Sequence, residues 1–99
     1  MQAEFLRMAL ANGAVSFVLC SGRHPLIRSK KGVQDYETEA WTFEDMETFL
    51  RELMGSRQMR QFRVTGLAYF RSTFGGCVIL CAARIEGEEI RLEMRRLGA

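Results

Sequence analysis

The chain reads as one α+β domain in the order α-β-β-β-α-α-β-β-β, with a mostly antiparallel sheet of about six strands. Three observations predict this. Apolar residues recur at helical spacing at Met46, Phe49, Leu50, Leu53 and Met54, behind a helix-start signal at Thr42. Glu89 to Arg96 alternates strictly, with Ile90, Leu92 and Met94 set against Arg91, Glu93 and Arg95. Glycine-bearing turns cut the other apolar runs into strand lengths. Helices grouped apart from strands joined by short turns define an α+β fold.

Taken in order, Glu4 to Asn12 reads as a helix, with Phe5, Met8, Ala9 and Asn12 on one stripe and Leu6 and Leu10 beside it. Gly13 suits the left-handed position past its end. Val15 to Ser21 is a strand, apolar almost throughout, as expected of one covered on both faces. Gly22 to Pro25 makes a turn into Leu26 to Ser29. Lys30-Lys31-Gly32 forms a hairpin tip, and Val33 to Glu37 returns as a polar, edge-like strand.

Thr42 is an N-cap residue, and Asp45 completes a capping box three positions on. Trp41 and Met46 occupy the two positions of a hydrophobic staple. Gly55 closes this helix, and Ser56 caps a short one, Arg57 to Phe62, with Met59 and Phe62 facing inward. Leu67 to Ser72 follows as a strand, then a Gly75-Gly76 turn, Cys77 to Ile85 as a central buried strand, the Glu86-Gly87 turn, and the alternating strand to Arg96.

At 99 residues there is room for a single core, so residues 1–99 form one domain. The longest apolar run, Cys77 to Ala83, is far short of the roughly 20 residues a membrane-spanning helix needs. Glu4 and Arg7 interrupt the first apolar residues, which argues against a signal peptide. Cys20, Cys77 and Cys81 form an odd set with no Cys-x-x-Cys spacing. They read as buried free thiols, which excludes a disulfide scaffold or zinc site and points to a reducing cytoplasm.

The formal net charge is only +2, but it is distributed in blocks. Phe5 to Gln34 carries Arg7, Arg23, Arg28, Lys30 and Lys31 without an acid. Asp35 to Glu52 carries seven acids against Arg51, and Arg57, Arg60 and Arg63 follow. Opposite-sign surfaces on one small domain suit docking between copies or on a charged protein partner. The residues best placed for it are Arg23, Arg28, Lys30 and Lys31 on the first hairpin, and Glu44, Asp45 and Glu47 at the helix start.

The stretch Ala11 to Arg28, with its helix end at Gly13-Ala14, short apolar strand, Ser/Gly turn and Pro-Leu-Ile-Arg strand, resembles the opening of PilT-like pilus-retraction and secretion ATPases. Phe49-Leu50-Arg51-Glu52-Leu53-Met54 and Gln58-Met59-Arg60-Gln61-Phe62 stand where that family has its second helix and a Gln-Arg-x-x-Phe-like segment. The resemblance covers Glu4 to Leu97 and implies the family's N-terminal, PAS-like domain. It departs at Val15-Ser16-Phe17-Val18, where the family has a Ser-Asp-Leu-His-like strand. It departs again at Val78-Ile79-Leu80, in place of an Arg-Phe-Arg strand whose arginines help contact nucleotide across subunits. Only Arg95 or Arg96 stands near the family's strand-end arginine, close to where the linker to the ATPase domain would begin.

The chemistry of the motor is missing from the sequence. A P-loop needs Gly-x-x-x-x-Gly-Lys-Ser/Thr to cradle phosphates, and the only lysines, Lys30 and Lys31, follow Ser29. No cofactor is expected, and the chain is expected not to be an enzyme. Cys20 with His24, the sole histidine, is the one nucleophile–base couple that can be written, and it lacks an orienting acid in sequence.

By the resemblance, the expected role is a non-catalytic protein-interaction and assembly module of a type IV pilus, serving twitching motility, or of a secretion system. Its partner would be the ATPase or a further copy, as a homo-oligomer. Two other classes remain open. One is a PAS-like small-ligand sensor with a pocket lined by Phe17, Leu19, Phe70 and Ile79. The other is a weak nucleic-acid binder using the hairpin cations and Arg57, Arg60 and Arg63.

Overall fold

The computed structural model describes the backbone of residues 2–35 and 40–97 and the side chains of 4–33 and 40–97. The elements run α1 (Gln2–Ala11), β1 (Ala14–Cys20), β2 (Leu26–Ser29), β3 (Gly32–Asp35), α2 (Phe43–Met54), α3 (Ser56–Thr65), β4 (Leu67–Phe74), β5 (Cys77–Glu86) and β6 (Glu89–Arg96). This is the α+β order expected from the sequence. The strands form one sheet, β3-β2-β1-β6-β5-β4, antiparallel at every junction. Pairing of β6 with β1 joins the two hairpin systems, Ser16 opposite Arg95 through Cys20 opposite Arg91.

The alternation of β6 decides where the core lies. Ile90, Leu92 and Met94 are buried, and the register places Leu19 opposite Leu92 and Phe17 opposite Met94. Ile79, Cys81 and Ala83 of β5 and Ile27 of β2 share that face. The helices add Leu6, Ala9 and Leu10 from α1, Met46, Phe49 and Leu50 from α2, and Met59 and Phe62 from α3, all in one cluster. A chain this short builds only one layer of helices, so the described elements cover only one face of the sheet.

The capping box on α2 is complete. The Asp45 amide donates to Thr42 Oγ1 at 3.0 Å, and the Thr42 amide donates to Asp45 Oδ2 at 3.0 Å. Trp41 is buried and meets Phe49 edge-on at 5.3 Å, and Phe49 meets Phe74 in the same way at 5.3 Å. This aromatic chain ties the helix start to the end of β4. The Gly75-Gly76 turn has positive φ at both residues, and a Cβ on Gly75 would lie 3.2 Å from Leu10 Cδ1. The turn thereby lets α1 settle closely on the β4–β5 hairpin.

Several expectations need correction. On α1 the buried stripe is Leu6, Ala9 and Leu10, with Met8 64% exposed, because the i, i+3, i+4 set centred on Leu6 carries the bulk that the sheet accepts. Strand β1 is covered on one face only, leaving Ser16 and Val18 half-exposed on the other. Strand β5 is likewise one strand in from the edge and alternates, with Val78 and Arg84 outward. Helix α3 is longer than expected and begins at Ser56 behind Gly55, which supplies no side-chain cap. Of the return strand expected over Val33 to Glu37, residues 36 and 37 lie outside the described residues.

Ser21 makes a less obvious join. It is buried, its hydroxyl accepts the Ile90 amide at 2.9 Å, and its own amide donates to the Ile90 carbonyl at 3.0 Å. The hydroxyl thus extends the β1–β6 ladder past Cys20. Leu50→Ala is expected to cost about 2–5 kcal/mol in urea unfolding, Ser21→Ala about 1–3 kcal/mol through the stranded Ile90 amide, and Thr42→Ala about 1 kcal/mol.

Candidate interaction face

The strand residues that do not enter the core line the opposite face of the sheet, which no described element covers. The registers define its rows. One runs across all six strands as Val33, Arg28, Ser16, Arg95, Leu80 and Arg71. The next runs Leu26, Val18, Glu93, Ala82 and Tyr69. Leu26, Val33, Leu67, Tyr69 and Val78 are large apolar side chains left exposed there, Tyr69 at 72%. Between them lies an open hollow of about 530 Å³.

This face is net positive, with Arg28, Arg71, Arg84, Arg91 and Arg95 against Glu86, Glu89 and Glu93. Arg28, Arg71 and Arg95 stand two strands apart in the row, about 10 Å in sheet spacing. None has an ion pair among the described residues. Two other arginines of this face are paired, Arg91 to Glu93 at 2.9 Å and Arg84 to Glu86 at 3.2 Å. Side-chain hydrogen bonding to Glu93 holds the Arg91 guanidinium above its ordinary basicity. Glu93, the acid in the middle of the face, is therefore already engaged.

The residues singled out from the sequence fall in different places. Arg28 lies on the uncovered face. Lys30 and Lys31 sit at the β2–β3 tip and border a second hollow with Met8, Asn12 and Arg96. Arg23 is at the far end of β2, in the β1–β2 turn. Asp45 is held in the capping box, and Glu47 pairs with Arg63 at 3.1 Å. Glu44 is exposed at the start of α2, close to the end of the sheet that carries Glu86, Glu88 and Glu89. The structure thus sets Lys30 and Lys31 at the β2–β3 tip, and at the opposite end Glu86, Glu88 and Glu89 together with Arg23, Arg84 and Arg91. The arginine row was missed; of its members only Arg95, at an outward position of the alternating β6, carried a signal in the sequence.

Of the residues expected to line a ligand pocket, Leu19 and Ile79 lie in the helix-side core, whereas Phe17, itself buried, and Phe70 also border the hollow. Among the described residues no three of His, Cys, Asp and Glu converge as metal ligands. No helix among them is long and apolar enough to cross a membrane. Cys20 is buried at the end of β1, and His24 is exposed in the following turn.

Solved structures share this architecture. The pilus retraction motor PilT with bound ADP superposes with a TM-score of 0.79 over 98% of the chain, at 18% identity. The ATPase DotB of Legionella pneumophila gives 0.79 over 99% at 12% identity, and DotB of Yersinia pseudotuberculosis 0.69 over 97% at 17%. The fold is that of a domain in these ATPases. The chain spans less than a third of their length, 28–29%. No family model and no curated protein sequence matches it.

Within this PilT-like fold, the two strand-end arginines point to opposite sides. Arg95 belongs to the uncovered row, whereas Arg96 borders the hollow by α1. Met59 and Phe62 of the 58–62 segment are core residues of α3. Val78-Ile79-Leu80 straddles the sheet, Ile79 in the core and Val78 and Leu80 outside.

The thiols are set by the same partition. Burial pushes Cys81 up from an ordinary 9.0 to about 12, and Cys77 is the one half-exposed thiol of the three. A raised folded-state value favours the fold below about pH 9, and this contribution is lost as pH rises toward 12. Iodoacetamide near pH 8 is expected to modify Cys77 first and Cys81 only at the unfolding rate. Between about pH 8 and pH 10.5 the urea midpoint should fall more steeply for the wild type than for Cys81→Ala.

Proposed function

We propose that this chain is a non-catalytic, PilT-like N-terminal domain that works by protein contact in a type IV pilus or secretion system, in the cytoplasm, as part of or beside a secretion ATPase. The observation that carries this reading is the uncovered sheet face. An apolar strip with three arginines that have no carboxylate partner among the described residues suits a protein surface that supplies apolar residues and acids. The absence of Gly-Lys from the sequence supports a role other than ATP hydrolysis in this chain.

The partner is taken to be the pilus or secretion ATPase of the host, since the fold is shared with PilT and DotB. Arg28 and Arg95 would meet its acids, with Leu26, Val18 and Ala82 filling the space between. Lys30, Lys31 and Glu44, at opposite ends of the sheet, would steer approach more than hold the complex.

The test is a binding titration of the full chain against the purified ATPase of its host. Arg28→Glu with Arg95→Glu should weaken binding by at least about tenfold while leaving the melting temperature within about 2 °C, because both side chains are exposed. No measurable binding by the wild type, or equal binding by the variant, contradicts the reading.

The hollow on this face also supports a second reading, as a small-ligand sensor, because about 530 Å³ with an apolar lining is within the range of ligand sites. Reproducible thermal stabilisation by one member of a metabolite and nucleotide panel, abolished by Leu80→Glu, would favour it over protein docking.

A further inference from the structure

The free edge of β4 has a hydrogen-bonding pattern that no described element uses. The Ile85 amide donates to the Gly66 carbonyl at 2.9 Å, which makes Gly66 and Ile85 a bonded rung. Antiparallel rungs alternate, and the register continues unbroken from Leu67 opposite Arg84 to Phe74 opposite Cys77. Ala68, Phe70, Ser72 and Phe74 therefore spend their backbone groups on β5. Leu67, Tyr69, Arg71 and Thr73 turn theirs to the open edge. The Thr65 hydroxyl agrees with this direction, accepting the Leu67 amide at 3.3 Å and lying 3.0 Å from the Leu67 carbonyl, which shares the hydroxyl's single proton with the Gln61 carbonyl at 2.9 Å.

The two edges of the sheet differ in how they are protected. Strand β3 is four residues long and follows Lys30 and Lys31, the usual means of discouraging strand addition. Strand β4 is eight residues long, with no proline, no bulge and no lysine. Tyr69 is 72% exposed and Leu67 47%, and Val64 beside them at the end of α3 is 87% exposed. Thr65 closes the first rung, leaving the amides and carbonyls of Tyr69, Arg71 and Thr73 open.

We propose that β4 pairs with β4 of a second copy of this chain, antiparallel about a twofold axis through Phe70, with Tyr69 opposite the partner's Arg71. Only residues with outward backbone groups form bonded rungs, so odd positions must oppose odd positions. Centred on Phe70, the two Tyr69–Arg71 rungs make four hydrogen bonds and set each guanidinium beside a phenol ring on the uncovered face. Phe70 then meets the partner's Phe70 in the close, non-bonded pair. Centred on Arg71, the alternative register gains a further rung but sets two arginines directly opposite each other. A register centred on Tyr69 sets Arg71 against Leu67, whose groups Thr65 already holds. The Phe70-centred pairing alone joins cation to aromatic ring and makes a continuous sheet of twelve strands, twice the six of one copy.

This pairing lies at the sheet edge and is independent of the ATPase contact proposed above. Sedimentation velocity on the full chain should show the mass doubling from 11.3 kDa as concentration rises from about 10 μM to about 1 mM. Arg71→Pro removes an amide that β5 does not use, so the fold should persist while dimerisation weakens by about tenfold or more. Tyr69→Lys, at an exposed side chain, sets like charges across the rung and should weaken it similarly even where the proline variant fails to fold. Arg28→Glu with Arg95→Glu should leave dimerisation intact. A chain that stays monomeric at about 1 mM, or a dimer indifferent to Tyr69→Lys, overturns the proposal.

Discussion

The structure depends on one-sided coverage of its sheet. Every strand that reaches the core does so with alternate residues, and all three helices spend their apolar stripes on the same face. Leu92 opposite Leu19, Met94 opposite Phe17 and the buried helix residues Leu6, Leu50 and Phe62 consume nearly all the bulk the chain has to bury. Among the described residues nothing comparable remains to cover the reverse face. Its exposed Leu26, Val33, Tyr69 and Val78 are a consequence of the same alternation that builds the core. A contiguous apolar surface on a small domain is costly to leave in water, which is why it reads as a contact surface.

Much of the fold was legible because local signals were redundant. Thr42 and Asp45 form the capping box their spacing announces, Trp41 and Met46 are both buried at the staple positions, and Ile90, Leu92 and Met94 face inward as their alternation requires. What failed were judgements of sidedness in runs without polar markers. Val15 to Cys20 offers only Ser16 as a polar residue, so an exposed Val18 looked identical to a buried Phe17. On α1, Phe5, Met8 and Ala9 compete with Leu6, Ala9 and Leu10, and only the position of the sheet chooses between them. The candidate site was less legible still. Arg28, Arg71 and Arg95 are distant in sequence and become a row only through four strand registers. Asp45 and Glu47, conspicuous in sequence as part of an acidic block, are occupied by a cap and an ion pair.

The charges then take on a spatial meaning that the blocks in the sequence did not convey. Lys30 and Lys31 collect at the β2–β3 tip, and Glu86, Glu88 and Glu89 collect at the opposite end of the sheet beside the start of α2. In the proposed contact such an arrangement would orient the domain in the field of a partner before contact, and the apolar strip would supply the holding energy afterwards. The unprotected β4 edge adds a second route to assembly of different geometry. The twofold edge pairing engages Tyr69 and Arg71 at the β4 margin, whereas the proposed face contact centres on Leu26, Arg28 and Arg95 two to four strands away, so the two meet only at that margin.

The central claim, that the domain acts through the face its helices leave bare, is tested most directly by hydroxyl-radical footprinting of the chain alone and mixed with the host ATPase. Alone, Tyr69, Leu26 and Val33 should label readily, and Phe17, Phe62 and Leu92 should be protected. On mixing, labelling at Leu26 and Val33 should drop severalfold while Phe43 and Met8, on the helix side, remain unchanged. Protection of Phe43 and Met8 with Leu26 and Val33 still labelled would contradict the account.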